Sequence, residues 1–146
     1  MTVIEAKQGT RNYILGFQRG EDVTEELRKF LKEKNIDAGL ITSGIGSLES
    51  CTIHYITTTG LPPSDEFVSL QGPLEIASLQ GSVAGGEPHM HISLYNQKTD
   101  TFHIGHLEPG AICCYRVELG IIAFNEVKTE RVLDEKTGLI DIVGVN

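Results

Sequence analysis

Tryptophan is absent from the chain, and aromatic residues make up only 6% of its 146 positions. Binding of unpaired bases relies on aromatic stacking platforms, so the sequence has little to offer single strands. Positive charge is also scarce. Twelve Lys and Arg stand against 20 Asp and Glu, for a net charge of -8 and a pI of about 5.0. Phosphate backbones are gripped by dense Lys/Arg surfaces, so this balance disfavours generic nucleic-acid binding. No R-G-R-P core of the kind AT-hooks place in the minor groove is present. No stretch approaches the ~18 consecutive apolar residues of a membrane span. The N-terminal "MTVIEAKQGT" has no apolar run like a signal peptide. The three cysteines, Cys51, Cys113 and Cys114, are odd in number and include an adjacent pair, a poor disulfide framework. They read as reduced thiols in a cytoplasmic protein. Adjacent strand residues point to opposite faces, so Cys113 and Cys114 cannot share a metal; both read as small buried hydrophobes. There is no G-x-S-x-G elbow, no P-loop and no C-x-x-C.

What is present is a folded domain. Hydrophobic residues make up 40% and charged residues 22%, with 16 glycines. That composition suits one turn-rich globular domain over residues 1–146. Residues 11–18 read as a strand. "GEDVTEELRKFLKEKNI" follows as the one clear helix. Asp22 is the expected N-cap, with Glu25 as its capping-box partner. Val23, Leu27, Phe30 and Leu31 form an apolar stripe. "AGLITSGIGSLESCTIHYIT" reads as two strand segments around Gly44 and Gly46. The glycines there lead into another strand rather than a helix, so a bulge or close strand crossing is expected, not a phosphate loop. Residues 57–66 form a polar connection. "PLEIASLQGSVAG", "HMHISLYN", "TFHIGHL", "AICCYRVELGIIAFNEV" and "LIDIVGV" then read as strands. The class is α+β, a mainly antiparallel sheet with one major helix near the N-terminus. The run Ala111–Phe124 is nearly all apolar, which predicts burial on both faces, against the helix or another subunit.

The chemistry centres on histidine. In "GEPHMHISL", His89 and His91 alternate along a strand and share a face. Two imidazoles so placed can converge on one ion. A third from the adjacent strand would make the three-His, open-position set of catalytic zinc. His103 and His106 both follow across a turn, and spacing leaves either open as the third ligand. The competing reading has the pair lining a solvated sheet face. Glu75, Glu118 and Arg116 lie within apolar strand patterns. A carboxylate there needs a partner, so an Arg116–Glu118 or subunit-interface contact is one reading, and acid/base work beside a metal is the other.

Together these motifs resemble the PPC domain (plant and prokaryote conserved domain). "YILGFQRGEDVTEELRKFLKEKNI" resembles its opening strand, turn and helix. "ITSGIGSLESCTIHYI" looks like its Gly-rich strand pair, and "GPLEIASLQGSVA" is similar to its Gly-x-x-Glu segment. "PHMHISL" and "IGHLEPG" match its His-x-His and Gly-His-Leu signatures, and "ERVLDEKTGL" its prokaryotic ending. The resemblance spans Tyr13 to Leu139. It implies a metal unit on His89, His91 and His106, with a divalent ion, zinc by default. It implies a homotrimer, with DNA or protein partners and a DNA-binding or regulatory role. The fold is also similar to α-acetolactate decarboxylase, which holds zinc with His-x-His and a later His. That similarity implies the alternative: a zinc-dependent lyase or hydrolase acting on a small carbonyl or carboxylate metabolite. Glu75 or Glu118 would then be the acid/base, and Arg116 would orient the substrate. The chain departs from the DNA-binding reading through its net charge and its lack of an AT-hook.

Overall fold

The computed structural model describes residues 3–5 and 8–145. The element order is β1 (Thr10–Gln18), α1 (Val23–Glu33), β2 (Gly39–Ile56), β3 (Asp65–Ala84), β4 (Glu87–Asn96), β5 (Thr101–Leu107), β6 (Ile112–Phe124), β7 (Lys128–Asp134) and β8 (Leu139–Val145). This is the expected α+β class. β1 to β6 form one antiparallel sheet in the order β1-β6-β2-β3-β4-β5. β5 also pairs with β2, through Ile53↔Leu107 and His54↔His106. Strands β2, β3, β4 and β5 therefore close into a ring. β6 pairs with β2 from Gly39 to Ser50, and β6 and β1 extend from there as an open sheet. β7 and β8 form a separate hairpin.

The helix starts where its sequence dictates. Asp22 Oδ1 accepts from the backbone N–H groups of Thr24 at 3.0 Å and Glu25 at 3.2 Å. Only half of the expected capping box forms, because the Glu25 carboxylate turns to Arg28 at 2.7 Å. Val23, Leu27 and Leu31 are fully buried. They join Ile41, Leu79, Val117, Leu119 and Ile121 in one core, with Phe30 packed edge-on against Tyr13 at its margin.

Three strand expectations change. The segments around Gly44 and Gly46 are one strand of 18 residues whose register slips at bulges. Gly46 has φ +130°, and a Cβ there would lie 2.1 Å from the Arg116 carbonyl oxygen. This is the close crossing that the glycines predict. β3 begins at Asp65 rather than Pro73, because "DEFVSLQ" pairs with the end of β2. β7 was not expected at all. Its "KTERVLD" has too few apolar residues to show a strand period, and it is held by β8. Within one chain, β6 is buried on one face only. Cys113, Val117, Leu119, Ile121 and Ala123 are buried, while Tyr115, Arg116 and Glu118 are exposed. The outer face across β1, β6 and β2 carries Ile14, 84% exposed, and Ile45, 58% exposed. The cysteines are free, with Cys51 and Cys113 buried and Cys114 half-buried. Among the described residues, no helix is long and apolar enough to cross a membrane.

Candidate metal centre

The ring brings the histidines together. Met90 and Ile92 are buried, so β4 turns His89 and His91 to its other face. β5 lies beside β4 with His106 opposite His91. β2 closes on the far side of β5 with His54 opposite the same His106. A row of imidazoles thus runs across β4, β5 and β2, and His89 stands one step along β4. The His106 ring centroid lies 4.5 Å from that of His54, 4.7 Å from His89 and 5.6 Å from His91. Gly105 permits this closure, since a Cβ there would meet the His54 carbonyl oxygen at 2.6 Å.

One donor nitrogen from each of His89, His91 and His106 falls within 4.8 Å of the others. These residues border a cleft of about 550 Å³. Tyr55, Ile56 and Ile104 supply exposed apolar wall, and Ser78, Gln80 and Ser93 supply polar groups. Burial pushes His106 down to about 4, helped by His89, His54 and His91 and opposed by Glu108. Burial lowers His89 as well, followed by the charge of Arg131 and the imidazoles of His91 and His54. Near neutral pH these two rings are uncharged, with lone pairs free to bind a cation. Arg131, on β7, has a buried Nη2 with no hydrogen-bond partner among the described residues.

His106, and not His103, joins the pair. The two are three residues apart on one strand, so they point to opposite faces. His103 Nε2 instead meets Thr101 Oγ1 at 2.9 Å. Glu75 is exposed on β3, opposite Ser47 and Tyr95. Arg116 and Glu118 are exposed on β6, and Arg116 Nη1 donates to Gln18 Oε1 at 3.3 Å. None of the three lines the cleft. Two residues were missed. His54 borders the cleft, and its Nδ1 lies 2.5 Å from Glu108 Oε1. Glu108 carries a readable signal, two residues beyond His106. His54 carries none, because the β2–β5 pairing joins segments more than 50 residues apart.

The profile of the Plants and Prokaryotes Conserved (PCC) domain matches residues 4–125. A metal-containing protein from Archaeoglobus fulgidus is 29% identical, with TM-score 0.80 over 97% of this chain and 98% of that one. A protein from Bacteroides thetaiotaomicron described as a "putative dna binding protein" shares the fold at 21% identity. Its TM-score is 0.75 over 99% of this chain and 97% of that one. The bifunctional protein GlmU of Synechococcus sp. (strain JA-3-3Ab) is 29% identical over 132 residues, 90% of this chain. The chain spans only 20% of that relative's length. With the profile covering most of its length and the histidine motifs inside the match, the chain belongs to the Plants and Prokaryotes Conserved domain family.

Proposed function

We propose that the protein is a cytoplasmic homotrimer in which each chain binds one divalent cation, zinc by default, through His89, His91 and His106. The adjoining cleft takes a small carbonyl or carboxylate metabolite. The observation that carries this reading is the convergence of three imidazole donors within 4.8 Å beside a cleft. Three imidazoles fit the catalytic type of zinc site, which leaves a fourth position for a ligand oxygen. A bound divalent ion supplies Lewis acidity there. The chain's own residues do the rest. Ile56 and Ile104 cover the carbon skeleton of the ligand and exclude water. Ser78, Gln80 and Ser93 offer hydrogen bonds to its polar atoms. The metal-containing relative at 29% identity supports the reading.

We assign the trimer contact to the outer face of β1, β6 and β2, a choice supported by the exposed Ile14 and Ile45. Arg116 and Glu118 lie on β6 of that face, so we assign them to subunit recognition. Acid/base work by Glu118 or Glu75 in a lyase or hydrolase requires a neighbouring subunit to bring them to a cleft. The test is metal content per chain on protein purified without a tag or chelator, followed by zinc titration of wild type and His91→Ala. We expect one ion per wild-type chain, with affinity at least about tenfold weaker in the variant, since even supporting residues cost that much. No metal in wild type after zinc is restored, or equal affinity in His91→Ala, overturns the three-histidine site.

A DNA-associated role has the shared fold of the Bacteroides protein in its favour and the net charge of -8 against it. The expected result is no retention on duplex DNA at moderate salt. Retention that weakens steeply with salt would favour the DNA reading.

A further inference from the structure

His54 and Glu108 stand outside the three-histidine set, yet they reach the same imidazole. One donor atom from each of His54, His106 and Glu108 lies within 4.8 Å of the others. We propose that these three residues form a second divalent-cation position, which shares His106 with the first. Two imidazoles and one glutamate are a zinc donor set in their own right, distinct from three imidazoles. The carboxylate adds a negative charge that the first set lacks, and so admits harder ions such as Mn²⁺ beside Zn²⁺.

The position is held in place before any ion arrives. The His54 ring stacks on His106 and leans on Phe67 at 5.1 Å. The Glu108 backbone N–H donates to the Thr52 carbonyl at 2.9 Å. The His54 and Glu108 side chains are 23% and 25% exposed, so an ion can reach them from solvent and is then partly shielded from it. His54 Nδ1 and Glu108 Oε1 lie in hydrogen-bond contact at 2.5 Å; an incoming ion takes the place of the bridging hydrogen, which leaves to solvent as a proton. A neutral imidazole offers one lone pair, so His106 serves one ion at a time and the two positions fill alternately.

The experiment is Co²⁺ and Zn²⁺ titration of His91→Ala and of His91→Ala/Glu108→Gln, with folding checked by circular dichroism. The His91 side chain is exposed, so its loss leaves the core intact. We expect the single variant to retain one equivalent through the second position, with a changed Co²⁺ visible spectrum. We expect the double variant to lose it. A folded His91→Ala that binds no ion overturns the second position and leaves the first standing. Binding that survives undiminished in the double variant overturns it as well. Wild-type affinity that His91→Ala leaves unchanged, but Glu108→Gln abolishes, rejects the first position and keeps the second.

Discussion

A buried histidine resists taking up charge, the more so beside other histidines, and His106 is the clearest case. An unfolded histidine takes up its proton near 6.5, whereas folded His106 holds out until about 4. Between those values the unfolded chain binds more protons than the folded one. Stability is therefore full above about 6.5, falls as pH drops toward about 4, and levels off below. His89 is lowered in the same direction and adds to the slope. The melting temperature of the metal-free protein is expected to fall through this window, with a shallower fall in His106→Gln. An equal slope in both proteins would refute the assignment. At this scale the sequence was partly legible. His89 and His91 declare a shared face through period two, and Glu108 repeats that period after His106. His54 looks like any strand residue, because its neighbour on β5 is fixed only by ring closure.

Elements differ in how far local chemistry determines them. The helix was readable from its cap and stripe because both are local. Asp22 does more than cap. Its Oδ1 accepts two helix N–H groups and its Oδ2 accepts from Gly110 N–H at 3.0 Å, tying the helix to the loop before β6. Asp22→Ala is expected to cost about 2 kcal/mol, the upper end for a cap, read from the urea midpoint. A change under about 0.5 kcal/mol would show that the loop contact carries nothing. β2 was misread as two pieces because its bulges interrupt the pattern where it crosses β6. Gly46→Ala must fit a Cβ 2.1 Å from a carbonyl oxygen at φ +130°. A loss above about 1 kcal/mol is expected. Gly60→Ala, with nothing within 4 Å, is expected to be near neutral. Equal losses at the two glycines would remove the steric argument.

For the whole molecule, composition spoke most clearly about what the surface cannot do. The excess of 20 acids over 12 bases disfavours a surface that grips phosphate. The apolar outer face is a different matter. Ile14→Glu and Ile45→Glu each place a charge where a neighbouring chain is proposed to sit, and light scattering is expected to show the mass dropping from three chains to one. Unchanged mass in both variants would remove that face from the interface. The strand order was the least legible feature, since pairing across many residues leaves no local mark. Its consequence lies in the ring. Long ladders join β2 to β3 and β3 to β4, but two register pairs alone close β5 onto β2. The ring is a bracelet with a short clasp, and a clasp opens at lower free energy than the band. The amide hydrogen of Glu108, which bonds the Thr52 carbonyl across the clasp at 2.9 Å, should therefore exchange sooner than those along β3. His54 lies on one side of that clasp, and His106 and Glu108 on the other. An ion held among them fastens it, and added Zn²⁺ should slow exchange there before it slows exchange anywhere else.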